Sequence, residues 1–535
     1  MKSKTDNNIK LSDLPRALSS RWPDRVRASL APDKLLCRIE CHPAELTGVC
    51  EWLSSKLGYR FATMIIEEAA EDWVGQYIFY GGREKAFVYL TVRQVKSDKS
   101  FPSISKVVHA ADWHEREAED LFGLVFAGHP RLNDFVLHEE WPEGVNPMKR
   151  EFNAKEPYLH REAKPEWRPK AILHEPGAFM MPIGPVYAGA AESVHFLLET
   201  VGEDVVRTIP RLFYKYRGVE KIAEGQPVEK VLLLAERFSG SAAFAHSLAF
   251  CQAVEGTMGA DEVPRRAREL RVLLAELERM RHHLSAIEGI CSSTGLAVAA
   301  SQTGILEEEL LRLSAEFTGH RYLFGLNIPG GLSRDFTNEE CRKLARKINE
   351  ILKKLEELQG MLRYSSSFLD RLEEVGIISR EGAMNYGLVG PVARACGIRH
   401  DLRRALPYAA YDSVQFSLPA EREGDGYARL RLLFQEAEQS ANIIAQLTRS
   451  LAGGNVYKQM DKFSSGSALG WVEAPLGAAF HWLRIDDNGR VVRYDLTTPS
   501  FTNWHGFHLA AEDFAFQDFP IILATFGLSV AESDR

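Results

Sequence analysis

Two short segments, far apart in the chain, gather residue types that do proton and metal chemistry. The first is Glu236-Arg237-Phe238-Ser239-Gly240-Ser241-Ala242, followed by Ala243-Phe244-Ala245-His246. The second is Thr525-Phe526-Gly527-Leu528-Ser529-Val530-Ala531-Glu532-Ser533-Asp534-Arg535. Together they offer carboxylates at Glu236 and Glu532, a guanidinium at Arg237, an imidazole at His246 and hydroxyls at Ser239 and Ser529. Neither contains a cysteine. A soft-metal redox centre needs thiolate donors, and neither a serine hydroxyl nor an alanine methyl replaces them at neutral pH. Hydrogen bonding, ion pairing and proton transfer remain open to these residues.

The surroundings of both segments nonetheless resemble the metal motifs of [NiFe]-hydrogenase large subunits, E-R-x-C-G-x-C-x-x-x-H and D-P-C-x-x-C. Ser239, Ala242, Ser529 and Glu532 stand at the cysteine positions. The resemblance continues in order along the chain. Pro182 to Phe196 is similar to the opening G-P-x-H...E-P-x-H-F, Tyr216 to Lys221 to H-R-G-x-E-K, and Leu277 to His283 to L-E-R-x-x-N-H. Gly330 to Asp335 is similar to G-G-x-x-R-D. The run from Gly390-Pro391 through Arg394, Asp401-Leu402-Arg403, Pro407-Tyr408 and Tyr411-Asp412 resembles a block shared with the 49-kDa subunit of respiratory complex I. Nearer the N-terminus, Glu115 to Gly123, Gly128-His129-Pro130 and Pro147 to Phe152 resemble the complex I 30-kDa subunit. The chain therefore looks like a fusion of the two subunit types, as in formate-hydrogenlyase-type and hydrogenase-4-type large subunits.

That resemblance implies a site. Ser239, Ala242, Ser529 and Glu532 should line one pocket with Glu236, Arg237 and His246, and with Tyr187 and His195 as further lining. Arg237 should form a buried ion pair with Glu532. The arginine that the family places beside its metal is here Leu476. Complex I uses the same pocket for a quinone headgroup, through a histidine and a tyrosine whose positions correspond to Tyr187 and Gly240. Quinone is thus a candidate acceptor without its signature residues. The resemblance leaves two readings of the pocket open, a working proton or quinone site and polar filling that keeps the fold closed. The implied partners are a small subunit bearing a [4Fe-4S] cluster, a ferredoxin-like subunit and membrane-embedded complex I-like subunits. Glu115, Arg116, Glu117 and Asp120 should face such partners, with Arg116 in fixed ion pairs. The expected role is electron transfer within an oxidoreductase complex; a non-catalytic scaffold is the alternative, and an active hydrogenase lacks its thiolates.

Composition narrows the classes. A formal charge of -8 argues against nucleic acid or an anionic membrane surface as the main partner. No apolar run approaches the ~18 residues of a membrane span, and no signal core follows the N-terminus, which predicts a cytoplasmic protein that meets the membrane through partners. Seven scattered cysteines do not suggest a disulfide framework. Cys37, Cys41 and Cys50, with His42, fit no common zinc spacing and read as free thiols. There is no glycine-rich dinucleotide loop and no cysteine set for an iron-sulfur cluster, so the chain itself should bind neither NAD nor such a cluster.

The elements that must position these residues follow an α+β plan. Residues 1–30 read as a flexible arm, and 31–155 as a small α+β domain with strands over Gln76–Tyr80 and Ala86–Val92, a helix near 43–57 and another over Glu115–Phe122. Residues 156–181, rich in Pro, Glu and Lys, read as a linker. Residues 182–535 read as a mainly helical domain with a small β part. Leu270, Leu273, Leu274, Leu277, Met280, Leu284 and Ile287 recur at helical spacing over 264–290, and a second long helix is predicted over 338–372, capped by Thr337 or Asn338.

Overall fold

The computed structural model describes residues 9–31, 36–81, 85–132, 135–153, 155, 173–174, 176–187, 192–258, 263–460 and 465–535. Two compact units emerge, one formed by Met1–Ile172 with Asn385–Gly387 and the other by Leu173–Met384 with Leu388–Arg535.

In the first unit, helix α1 (Leu14–Arg21) leads into β1 (Val26–Leu30) and β2 (Leu36–Cys41). Residues 9–30 are therefore not the loose arm expected from their polarity. Leu14 and Leu18, one helical turn apart, are both buried, and β1 completes a sheet edge. The predicted helix is α2 (Leu46–Glu51), extended by a wider turn over Trp52–Lys56. Strands β3 (Tyr59–Glu68), β4 (Asp72–Gly81) and β5 (Ala86–Val95) finish a five-stranded sheet in the order β1-β2-β5-β4-β3. Only β2 and β5 run parallel in it. Two short strands, β6 (Ser100–Pro102) and β7 (Val125–Ala127), flank helix α3 (Asp112–Phe122).

Helix α3 does not turn Glu115 outward, as the resemblance to a partner-facing helix leads one to expect. Glu115, expected at a partner interface, is wholly buried and accepts hydrogen bonds from the Ser103 hydroxyl at 2.5 Å and the Ile104 backbone at 2.6 Å. Asp120 accepts the backbone N–H groups of Phe135, Val136 and Leu137 and so organises that loop. The Arg116 guanidinium lies 4.4 Å from the centre of the Phe135 ring. Glu115, Arg116 and Asp120 are thus engaged inside the unit. Cys37, Cys41 and Cys50 are buried free thiols, and the His42 ring caps the turn at Ala44.

The second unit opens with β8 (Ala178–Ile183), β9 (His195–Val201) and β10 (Asp204–Arg211). Helices α4 (Val219–Ala223), α5 (Val228–Arg237) and α6 (Ala243–Thr257) follow, then the long α7 (Arg265–Ser293) and α8 (Ala297–Thr318). After the small hairpin β11 (Asn327–Ile328) and β12 (Gly331–Leu332) comes α9 (Asn338–Leu362). A reciprocal box between Thr337 and Glu340 caps α9 as the sequence predicts. It ends ten residues short of the predicted 372, because Gly360 and the serine run at 365–367 weaken the helix; only a short α10 (Ser366–Leu369) continues.

Short helices α11 (Arg380–Asn385), α12 (Gly390–Ala395) and α13 (Leu402–Ala405) precede the 24-residue α14 (Gly426–Arg449), which packs on α7 and α9. The antiparallel sheet β13 (Gly466–Ala474), β14 (Gly477–Ile485) and β15 (Val491–Thr497) then forms. The chain finishes with α15 (Pro499–His505), β16 (Glu512–Ala515), α16 (Phe519–Phe526) and α17 (Val530–Asp534). Strand β16 pairs with β10 at the edge of the β8–β10 sheet.

Helix α6 lies directly on β13 and β14, and the contact depends on one glycine. A Cβ at Gly470 would sit 1.8 Å from the Ala249 carbonyl oxygen of α6, so any side chain there would force helix and strand apart. Phe250, Cys251, Ala253 and Val254 of α6 share an apolar core with Leu483, Ile485, Tyr494 and Leu496 of the sheet. Among the described residues no helix is long and apolar enough to cross a membrane.

Candidate functional site

The structure brings the two segments together, and their polar groups continue into a chain of hydrogen bonds. Ser529 caps α17 through its hydroxyl, which accepts the Glu532 N–H at 3.1 Å and sets the Glu532 side chain inward from the first turn. His246 lies one turn into α6, which begins after Ala242. The Glu532 Oε1 to His246 Nε2 distance is 2.9 Å, across a sequence separation of 286 residues. On its other side His246 Nδ1 is 3.0 Å from His481 Nε2, and His481 Nδ1 is 2.6 Å from the Tyr494 hydroxyl.

The sheet supplies this second half by its register. His481 pairs with Leu496, and Tyr494 lies two residues from Leu496, so strand alternation puts the imidazole and the phenol on one face. At the opposite end Ser500, in α15, donates its backbone N–H to Glu532 Oε2 at 3.1 Å and its hydroxyl to the same oxygen. Glu532, His246, His481 and Tyr494 have no accessible surface.

With Glu532 as a carboxylate, the tautomers follow from one another. The carboxylate only accepts, so His246 carries its proton on Nε2 and accepts at Nδ1. His481 must then donate from Nε2, leaving its Nδ1 to accept from the Tyr494 hydroxyl. Burial, reinforced by His246, holds the His481 imidazole well below its usual range, so it stays neutral with one N–H. Burial and the neighbouring Glu220 and Asp495 push the Tyr494 phenol well above its usual range.

The other expected site residues lie as follows. Arg237 does not pair with Glu532: it is half exposed, 3.5 Å from Glu236 and stacked over Phe324, because it is at the outer C-terminal end of α5. The partner of Glu532 is His246. Glu236 is turned to a neighbouring loop, where it accepts the Gly325 N–H at 2.6 Å. The Ser239 hydroxyl is paired with that of Ser241 at 2.8 Å, and the Ser529 hydroxyl donates to the exposed Glu192. Tyr187 gives its phenolic proton to the Val194 carbonyl at 2.8 Å, just ahead of β9. His195 is 3.4 Å from the Tyr214 hydroxyl. Leu476 is buried, and its carbonyl oxygen would be 2.0 Å from a Cβ at Gly390.

Three contributors carry no role in the sequence reading. His481 sits within Gly477-Ala478-Ala479-Phe480-His481-Trp482, where a single imidazole in an apolar strand is the available signal. Tyr494 is indistinguishable by sequence from a packing tyrosine. Arg217, inside a quoted motif, joins the two segments directly: its Nη2 donates to the Phe238 carbonyl at 2.9 Å and to the Ala531 carbonyl at 2.6 Å.

A nickel-iron centre does not fit these residues. Of the positions equivalent to its ligands, Ala242 has no donor, the two serines are engaged as hydroxyl hydrogen-bond partners, and Glu532 is a hard oxygen donor already bonded to His246 and Ser500. That donor set suits protons and not a soft low-potential metal.

A second buried network lies between α7, α12, α14 and β13. Arg394 donates to Glu436 at 2.7 Å and Glu473 at 2.8 Å, with Asp401 at 3.4 Å. Arg403 joins Asp401 at 2.7 Å to Glu276 at 3.0 Å, and Glu276 also accepts from Tyr411 and Ser440. Burial alone would push Glu436 up, but Arg394 and the His283 hydrogen bond outweigh it and hold the carboxyl below its usual range. Motifs that read as separate lines of sequence are thus one ionic cluster.

Comparison with known proteins decides the family. The respiratory-chain NADH dehydrogenase 30 Kd subunit family matches residues 39–158, and the 49 Kd subunit family matches 302–468 and 455–535. Formate hydrogenlyase subunit 5 of Escherichia coli (strain K12) is 30% identical over 455 residues, covering 84% of this chain and 79% of that one. The chain belongs to this fused 30-kDa/49-kDa subunit family. Hydrogenase-4 component G of the same organism is 29% identical, with 85% of this chain and 79% of its own covered. The C/D subunit of the NADH-quinone oxidoreductase of Bdellovibrio bacteriovorus is 30% identical over 69% of this chain and 66% of its own. A chain in the solved structure of the membrane-bound sulfane sulfur reductase, an archaeal respiratory membrane complex, superposes with a TM-score of 0.63 at 27% identity, covering 67% of this chain and 99% of that one. The fused family is one of oxidoreductase-complex subunits.

Proposed function

We propose that this chain is the electron-transfer subunit of a membrane-bound complex related to complex I and the energy-converting hydrogenases, and that it works without nickel. The observation that carries the reading is Glu532, at a position where the hydrogenase motif would have a thiolate, hydrogen-bonded instead to His246. Electrons arrive from a [4Fe-4S] cluster on a partner small subunit, supplied by a ferredoxin-like subunit, and the event is coupled to complex I-like membrane subunits at the cytoplasmic face. The acceptor is a small molecule that takes up protons with its electrons. Quinone is one candidate; sulfane sulfur is the other, supported by the name of the structural relative. The relatives named for NADH-quinone oxidoreductase and formate hydrogenlyase support the oxidoreductase class.

The deciding experiment is metal analysis of the anaerobically purified native complex, with hydrogen uptake assayed on the same sample. Iron without nickel, and no hydrogen uptake, is the expected result. Stoichiometric nickel overturns the reading.

The complete burial of Glu532 and His246 favours one second reading, a scaffold subunit whose polar interior only holds the fold closed. Turnover of pocket variants in the assembled complex separates the two.

A further inference from the structure

Four buried groups linked end to end by hydrogen bonds, each able both to gain and to lose a proton, are more than a closed fold requires. Two apolar side chains in place of His481 and Tyr494 would fill the same core without the cost of burying an imidazole and a phenol. We propose that Glu532, His246, His481 and Tyr494 form a proton relay that delivers a proton from the Tyr494 side of the sheet to the Glu532 carboxylate, with His481 and Tyr494 as relay residues alongside the two motif positions.

The links are short enough for proton hops, at 2.6 Å from Tyr494 to His481, 3.0 Å between the imidazoles and 2.9 Å from His246 to Glu532. Every donor points the same way in the resting arrangement. One passage breaks three bonds and forms three. The Tyr494 O–H proton goes to His481 Nδ1, the His481 Nε2 proton to His246 Nδ1, and the His246 Nε2 proton to Glu532 Oε1. Both histidines are neutral before and after, each having moved its proton from Nε2 to Nδ1, so the imidazolium that burial opposes at His481 is never required.

Concerted with these three transfers, the Tyr494 oxygen takes a proton from a water on its outer side, so the phenolate that burial, Glu220 and Asp495 oppose is never left behind. The neighbouring carboxyl there is Glu220 on α4, 5% exposed, whose Oε2 is buried without a hydrogen-bond partner and whose Oε1 is 3.5 Å from Arg535. Asp495 and Arg535 are the other charges acting on Tyr494, and Glu278 is the further carboxylate acting on His246. The net change is one proton moved from the Glu220 side to Glu532, with both imidazole protons shifted from Nε2 to Nδ1 and no electron transferred. Ser500 fixes the receiving carboxylate through Oε2 and leaves Oε1 to the relay. The use of that proton in acceptor reduction rests on the function proposed above; the relay itself rests on geometry.

The test is the tautomeric state of the two histidines in the full chain labelled with 15N-histidine. Two-bond proton-nitrogen couplings report the tautomer, and His246→Asn and His481→Asn assign the signals. In the wild type both imidazoles should carry the proton on Nε2. In Glu532→Gln the amide imitates the protonated carboxyl: its oxygen still accepts from Ser500 and its N–H donates to His246. Both histidines should then switch together to the Nδ1–H form, and adding Tyr494→Phe, which removes the acceptor for His481 Nδ1–H, should block the switch at His481. A His481 tautomer indifferent to Glu532→Gln overturns the relay. Should that variant not fold, the wild-type spectrum alone overturns it if either histidine holds its proton on Nδ1. No turnover is read, so a negative result leaves the electron-transfer reading standing, and nickel in the native complex would sink that reading without altering the tautomers expected here.

Discussion

Glu532 and His246 meet at 2.9 Å with neither side chain reaching solvent, although 286 residues separate them in the chain. A buried charged hydrogen bond of this kind is expensive to break from one side only, because the remaining partner keeps its desolvation cost. Glu532→Gln keeps the shape and removes the charge. It should lower turnover of the native complex by about a hundredfold to ten-thousandfold, the range for loss of a positioned proton-transfer group, while the complex still purifies intact. Unchanged turnover in Glu532→Gln and in His246→Gln would favour the scaffold reading.

Arg394 is held by Glu436, Glu473 and Asp401 in an interior without solvent. Arg394→Met, similar in length but uncharged, leaves Glu473 without a charged partner and reduces Asp401 to Arg403 and Glu436 to His283, all in the buried interior. Chemical denaturation of the full chain should show a loss of about 3–5 kcal/mol. Pairing the change with Glu436→Gln should recover part of it, since the two sites share one bond.

Burial, opposed by the Ser103 and Ile104 hydrogen bonds, raises Glu115 from the ordinary 4.5 to about 8. The folded first unit therefore binds this proton more tightly than the unfolded chain does. Its contribution is fully present below about pH 4.5 and is lost as pH rises toward 8, at about 1.4 kcal/mol for each pH unit traversed. Thermal unfolding followed from pH 5 to 8 should show a falling midpoint, and Glu115→Gln should flatten that dependence. A midpoint that climbs with pH in the wild type and is unaltered by the variant contradicts the assignment.

Thr337 supplies a control away from the site. Its reciprocal cap with Glu340 holds the start of α9. Thr337→Ala should cost about 1 kcal/mol in denaturant unfolding and leave turnover untouched.

The sequence made the periodic and motif-bearing parts of this protein legible. Leucines at helical spacing marked α7, Thr337 marked the start of α9, and the β-like runs Gln76–Tyr80 and Ala86–Val92 marked β4 and β5. The residue types at 239, 242, 529 and 532 excluded a thiolate centre before any geometry was known. What the sequence could not carry was direction. Whether Arg237 turns toward Glu532 or away depends on its position at the end of α5, and Glu115 reads as a surface charge until Ser103 and Ile104 are seen to enclose it. His481 and Tyr494 escaped because their roles come from strand register, which places Leu496 opposite His481 and leaves no mark in either segment alone.

Gly470 stands opposite His481 in the β13–β14 ladder, and its missing side chain lets the backbone of α6 rest on the strand at Ala249, three residues after His246. The separation of the backbones that carry the two imidazoles is thus set by main chain against main chain. Proton hopping falls off steeply with donor-acceptor distance, so a shim one methyl thick, by pushing α6 off the strand, would throttle the wire while leaving the identity of every relay residue unchanged. Gly470→Ala is a mechanical adjustment of rate, made from a position that never touches the proton.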